Sequence, residues 1–217
     1  VTSKQVVPVT EAVDDDESMI MIDALIDTGA TNLTVINNNE GNGTMGLAGF
    51  LAKKRVKKVV FSSPRQFDSQ VVDRFYRAGE IDLEPVPQSN LALRIRAAGA
   101  GIGAFYTPTG IGTILAEGKE TRTIDGLRYI LENPQFADFA LVKAYKADRL
   151  GNLVYRKTAR NFGPIMTTAT TTTIVQVKTL AEAAGLDPAS DMTPGILVDL
   201  GVRVGSRFEL KEWADVR

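Results

Sequence analysis

"VKKVVFSSPRQFDSQVVDRFYRAGEIDLEPVPQ" (56–88) decides the fold. Its opening "VKKVVFSS" is a short β-branched run that reads as a strand, and "IDLEPVP" (81–87) reads as a second one. Between them "DSQVVDRFYRAG" (68–79) has helical spacing. Asp68 can cap its start, Val71, Val72, Phe75 and Tyr76 fall on one face, and Gly79 ends it. Strand, helix and strand in so short a span form a β-α-β unit, whose strands lie parallel.

The same alternation runs outward in both directions. "LTVI" (33–36) is a strand preceded by an amphipathic helix, Ile22 to Thr28, that stops at Gly29. "LALRIRAAGAG" (91–101) is the helix that follows residue 88. "LRYILE" (127–132), "DFALVKA" (138–144), "NLVYR" (152–156), "TTIVQV" (172–177) and "GILVDL" (195–200) complete the strands, with Gly151 and Asn152 forming a tight hairpin turn. The threonine run "TTATTTT" (167–173) reads as a helix end and the start of a buried strand. The expected fold class is therefore α/β, a mainly parallel sheet flanked by helices, in one domain over 1–217. One join resists this pattern. "ESMIM" (17–21) has the look of a strand, yet it meets "IDALIDTG" (22–29) with no turn residue between them.

Composition narrows the chemistry. The chain has 217 residues, 25 Lys and Arg against 26 Asp and Glu, and a net charge of -1, so it lacks the basic excess that nucleic-acid binding rewards. It contains no cysteine and no histidine. That removes disulfides, thiolate nucleophiles, Cys-ligated metals, histidine triads and the commonest proton shuttle. Carboxylates, amides, hydroxyls, Lys and Arg remain, and no metal site is expected. No apolar run is long enough to span a bilayer and no secretory leader pattern is visible, so a soluble cytoplasmic protein is expected, with neither membrane nor nucleic acid as partner.

The glycine-dense stretch "RAAGAGIGAFYTPTGIGT" (96–113) invites a nucleotide reading. A dinucleotide fingerprint requires a strand before the glycines and a helix after them, and here the order is reversed. A P-loop requires Gly-Lys-Ser/Thr, which "TGIGT" lacks. Two readings stay open. Gly99, Gly101 and Gly103 can simply end a helix while Pro108 and Gly110 shape a second turn. Alternatively, their exposed N–H groups beside an aromatic wall, Phe105 and Tyr106, suit an oxyanion or a thioester carbonyl that must be approached closely.

A resemblance carries the reading further. "NNNEGNG" (37–43), "YRAGEIDLEPVPQ" (76–88), "RIRAAGAGIGAFYTPTG" (94–110), "AEGKETRTIDG" (116–126), "ADFALVKAYKADRLGNLVYRKTARNFGPIM" (137–166) and "LDPASDMTPGI" (186–196) resemble, in order, the alpha subunits of family I CoA-transferases, of the 3-oxoacid type. The resemblance covers Ile22 to about Val198. It departs at one place: the family's Val-Gly-Gly-Phe-Gly signature, between its first strand and first helix, has no counterpart here. That signature belongs at the Met21/Ile22 join, so turn chemistry and family pattern together lead to the expectation that a glycine-rich loop is missing there.

The resemblance implies a ping-pong mechanism. A glutamate attacks the acyl-CoA, an anhydride forms, and the returning thiolate leaves an enzyme-CoA thioester, chemistry that fits a chain without His or Cys. In the family that glutamate lies on the beta subunit, so Glu117, Glu120 and Glu132 are expected to be solvated or structural, and a beta subunit in an α2β2 or similar hetero-oligomer is the expected partner. Coenzyme A is implied as a substrate, with no permanently bound cofactor. Asn38, Asn39 and Gln88 match the family's amides, which can donate to a carboxylate or an oxyanion without carrying charge. Ser89 stands where the family has glycine. Arg65 and Gln66, in "SSPRQ" (62–66), resemble the Ser-Phe-Pro-Arg-Gln of the 3-oxoadipate enzymes, and "ARNFGP" (159–164) leans the same way. A guanidinium fork at Arg65 would meet the second carboxylate of 3-oxoadipate or succinate. The same family allows acetoacetate or a short-chain fatty acid as acceptor, and two other classes stay in view: a non-catalytic binding protein on this fold and a sugar-phosphate isomerase on a related scaffold.

Overall fold

A computed structural model describes residues 5–8, 19–39, 46–63, 71–187, 189–190, 192–204 and 210–212. Along the chain β1 (Gln5–Pro8) is followed by α1 (Met19–Asp27), β2 (Leu33–Asn39), α2 (Gly46–Ala52), β3 (Val56–Ser63), α3 (Val71–Arg77), β4 (Asp82–Pro85) and α4 (Gln88–Gly99). Next come β5 (Phe105–Thr107), β6 (Thr121–Ile124), β7 (Leu127–Glu132), β8 (Ala137–Asp148), β9 (Leu153–Val154), α5 (Gly163–Thr168), β10 (Thr170–Ala181), β11 (Met192–Thr193), β12 (Leu200–Val204) and β13 (Leu210–Glu212).

The main sheet has the order β13-β12-β10-β8-β1-β2-β3-β4 and is parallel from β12 to β4, with β13 antiparallel on one edge. Its strands β2, β3 and β8 bury apolar residues on both faces because helices cover both. Val35, Val59 and Leu141 pack on one side with Met21 and Ile22 of α1, Phe50 and Leu51 of α2, and Val72 and Phe75 of α3. Their strand neighbours Ile36, Val60 and Val142 face the other side, against Leu91 and Ile95 of α4 and Met166 of α5. The α/β sheet flanked by helices is thus as expected. A small antiparallel sheet, β5-β7-β6, lies off the main one. Among the described residues no helix is long and apolar enough to cross a membrane.

Three expectations need correction. Met19, Ile20 and Met21 do not close a strand; they open α1, which runs unbroken through the Met21/Ile22 junction, where Met21 and Ile22 are buried. No strand ends at Met21. The strand expected at Gly195–Leu200 is displaced toward the C-terminus. Residues 195–197 form a 3-10 turn, pinned where the Gly195 N–H donates to Asn152 Oδ1 at 2.9 Å, and a Cβ on Gly195 would stand 1.8 Å from the Leu150 carbonyl oxygen. Tyr76 is 54% exposed, whereas Val72 and Phe75 carry the buried stripe of α3. A phenol hydroxyl needs a partner when buried and water supplies one more cheaply. The cap expected from Asp68 lies outside the described residues.

Candidate functional site

In a parallel sheet the loops after the strands gather on one rim, and open α/β folds hold ligands there. Here the neighbouring strands β2, β3 and β4 end together: Asn39 lies opposite Ser63, Phe61 lies opposite Pro85, and the Val86 N–H donates to the Phe61 carbonyl at 2.8 Å. Asn38 and Asn39, expected just after a strand, are the last residues of β2. Asn38 is half-buried, and the Ser62 hydroxyl lies 2.6 Å from its Oδ1 and 2.9 Å from its carbonyl oxygen. With the side-chain oxygen engaged, the amide N–H₂ is the end of Asn38 suited to meet a substrate oxygen.

Gln88 arrives on the same rim by a different route. Pro87, at φ −52° and ψ 139°, turns the chain from β4 into α4, and Gln88 is the first helical residue, exposed at the rim. No side chain caps this helix start. The first-turn N–H groups and the positive end of the helix dipole therefore face the same space as Gln88. Asn38 and Asn39 at the end of β2 and Gln88 after β4 lie on the same rim with β3 between them, whereas Arg65 and Gln66 lie outside the described residues.

The glycines fall elsewhere. Gly99 is the last residue of α4, so it stands about 16 Å along the helix from Gln88. A Cβ on Gly99 would lie 2.0 Å from Thr168 Oγ1, and its bare Cα lets α4 and α5 cross closely. Gly101, at φ +69°, closes the helix in a Schellman turn: its N–H donates to the Ala98 carbonyl and that of Ile102 to the Ala97 carbonyl. A Cβ on Gly103 would meet open space. Phe105 and Tyr106 belong to β5 and are half-buried; the Tyr106 hydroxyl donates to the Glu120 carboxylate and the Arg122 guanidinium lies 5.9 Å from its ring. The hydrogen bond to Glu120 pushes the Tyr106 hydroxyl above its ordinary value, so it stays a neutral donor.

A polar network behind the rim was not anticipated from sequence. Glu132, at the end of β7, is 1% exposed, and both its oxygens are held: Arg94 reaches Oε2 through Nε at 2.8 Å, while Lys119 Nζ lies 2.6 Å and Asn90 Nδ2 3.2 Å from Oε1. Arg94 also bonds Glu84 at 2.8 Å, and Lys58 reaches the other Glu84 oxygen at 2.6 Å. Burial works to raise the Glu84 carboxyl, but the hydrogen bonds and charges of Lys58 and Arg94 outweigh it and hold it below the usual carboxylate range. Glu132 is structural as expected, though buried rather than solvated, and fully committed partners leave it unfit as a nucleophile. Glu117 and Glu120 are exposed. The signal for this network was the i, i+4 pair of polar residues in "NLALRIR" (90–96), where Asn90 and Arg94 share a face. Among the described residues no cluster of His, Cys, Asp and Glu is placed to hold a metal ion.

Comparison with known proteins places the chain. The family model "Coenzyme A transferase" matches residues 13–200. The A-type subunit of a 3-oxoadipate CoA-transferase from Pseudomonas putida is 62% identical over 184 residues, 85% of this chain and 80% of its own. The A-type subunit of a succinyl-CoA:3-ketoacid coenzyme A transferase from Xanthomonas campestris is 48% identical over 179 residues, 82% of this chain and 73% of its own. Among solved structures, an acyl-CoA transferase from E. coli O157:H7, captured as a thioester complex with CoA, superposes with a TM-score of 0.78 at 18% identity, covering 96% of this chain and 47% of that one. Glutaconate coenzyme A-transferase from Acidaminococcus fermentans gives 0.70 at 18% identity, covering 83% and 64%. The chain belongs to the coenzyme A transferase family, among its A-type subunits.

Proposed function

We propose that this chain is one half of a two-subunit enzyme that moves coenzyme A from succinyl-CoA to 3-oxoadipate, and that its share of the work is the amide wall of the cleft. The observation that supports this reading is the placement of Asn38 and Asn39 at the end of β2 and of Gln88 at the start of α4, on the same rim of the sheet with β3 between them. Fold alone does not require uncharged amides after two strands on the same rim, β2 and β4. The names of the relatives supply the substrates and the existence of a partner subunit.

In the proposed reaction a glutamate carboxylate of the partner attacks the thioester carbonyl, the C–S bond breaks, and an acyl-glutamyl anhydride and CoA thiolate result. The thiolate then attacks the glutamyl carbonyl of the anhydride, releasing succinate and leaving a glutamyl-CoA thioester. 3-Oxoadipate repeats the sequence in reverse, leaves as its CoA thioester and restores the carboxylate. Each carbonyl passes through a tetrahedral oxyanion. Asn38, Asn39 and Gln88 donate to it, and being neutral they do not quench the anionic nucleophile as a lysine would. The uncapped start of α4 adds favourable potential for negative charge. Phe105 and Tyr106 flank the acyl chain in this reading, and Gly103, whose surroundings are open, is what remains of a glycine contact with the thioester. Arg65, beside Gln66, takes the distal carboxylate of 3-oxoadipate.

Steady-state transfer from succinyl-CoA tests this, with the chain alone and assembled with its partner, and with 3-oxoadipate and acetoacetate as acceptors. The reading predicts activity only in the assembly and a preference for 3-oxoadipate. Arg65→Ala should raise KM for 3-oxoadipate by about tenfold or more, the worth of a lost charged hydrogen bond, and leave acetoacetate turnover nearly unchanged. Equal losses with both acids would overturn the role of Arg65, and activity of the chain alone would overturn the half-site reading.

A further inference from the structure

Asn90 is the third residue of α4, two after Gln88, but unlike Gln88 it is buried. A buried amide is costly unless its donors and acceptors are matched, and here they are matched across three elements. Its Nδ2 donates to the Thr109 carbonyl at 3.1 Å and to Glu132 Oε1 at 3.2 Å. Thr107 Oγ1 lies 3.5 Å from its Oδ1 and accepts the Thr109 N–H at 3.3 Å. One side chain thus joins the first turn of α4, the 107–110 loop and the buried carboxylate on β7. Arg94, one turn further on the same helix face, holds that carboxylate from the other side. The loop is drawn close over β7: Gly110 has φ +101°, and a Cβ there would stand 3.2 Å from Ile130 Cδ1.

We propose that Asn90 is a positioning residue for the transfer reaction, which by fastening the 107–110 loop to the first turn of α4 fixes the depth and direction of Gln88 at the rim. The inference rests on the role given to Gln88 above. Small displacements of a donor from the developing oxyanion lower the rate without unfolding anything, and such a loss has to pass through the donor concerned.

The test is a double-mutant cycle in the enzyme assembled with its partner subunit, following transfer from succinyl-CoA to 3-oxoadipate for Gln88→Ala, Asn90→Ala and both together. Asn90→Ala is expected to lower kcat about tenfold with KM changed less than about twofold, and to lower kcat no further once Gln88 is alanine. Thr107→Val removes the hydroxyl between Asn90 and the Thr109 N–H without exposing a buried charge. It should cost a smaller share of kcat that likewise vanishes in the Gln88→Ala background, and it serves if Asn90→Ala does not assemble. An equal fold-loss in both backgrounds, or an unchanged kcat in a variant that assembles, overturns the proposal. If Gln88→Ala alone transfers CoA at the wild-type rate, the role of Gln88 falls and the proposal falls with it, which separates the two failures.

Discussion

At the scale of single residues, the chemistry assigned to this chain rests on groups that never change charge. Gln88 is the most exposed to test. Gln88→Ala should lower kcat by roughly 10²-fold, the usual cost of removing one oxyanion donor, and Gln88→Glu should lose more, because it sets a second anion against the attacking carboxylate. Rates of the assembled enzyme decide between these outcomes and no effect. Glu84 gives a prediction about stability. Its folded carboxyl binds a proton less tightly than the unfolded one, because Lys58 and Arg94 outweigh its burial. The stability it confers is therefore complete above the ordinary carboxylate range and is lost as pH falls through the lowered folded value. Urea midpoints measured from neutral to acid pH should decline there, and Glu84→Gln should flatten that part of the profile. Removing the buried charge at Glu132 is a harsher change. Glu132→Gln leaves the Arg94 and Lys119 cations without their shared anion and should cost about 3 kcal/mol of unfolding free energy.

At the scale of elements, the parts visible in the sequence were those written in its period. "VKKVVFSS" and "IDLEPVP" bracket β3 and β4, the helix marked by "LALRIRAAGAG" is α4, and the Gly151–Asn152 turn joins β8 to antiparallel β9. The threonine run behaves as read: α5 ends at Thr168 and β10 begins at Thr170, with the hydroxyls of Thr167 and Thr168 bonded back to the Pro164 and Ile165 carbonyls. Short apolar runs were where period failed. "SMIM" is as compatible with a buried helix as with a strand, and α1 takes it because Met21 and Ile22 continue the face of Leu25 and Ile26. The β6–β7 hairpin did carry a signal in Asp125–Gly126, whose φ values of 49° and 79° are those of a tight primed turn, but exposed β6 lacks the alternation that marks a strand. At the end of α4, Gly99→Ala should destabilise the chain by about 1–3 kcal/mol, since the clash with Thr168 reaches its backbone carbon at 3.1 Å and cannot be relieved by a rotamer alone. Thermal unfolding checks this, and a variant as stable as wild type would show that α4 and α5 are not closely held there.

At the scale of the whole molecule, the proposed amide wall lies on the rim where β2, β3 and β4 end, with helices packed on both faces of that sheet. The proposed site was readable only in part because its members are distant in sequence and share a rim only through strand order and register, and because the neighbouring network pairs α4 with β7, a contact no local pattern encodes. Among the acids of the described residues, Glu132 is locked between cations, which agrees with a nucleophile supplied from elsewhere. The most direct measurement is the intact mass of each polypeptide after the assembled enzyme is exposed to succinyl-CoA without an acceptor and rapidly denatured. The account predicts a mass increase corresponding to a CoA thioester on the partner, with this chain left at its unmodified mass. A CoA adduct on this chain would contradict it.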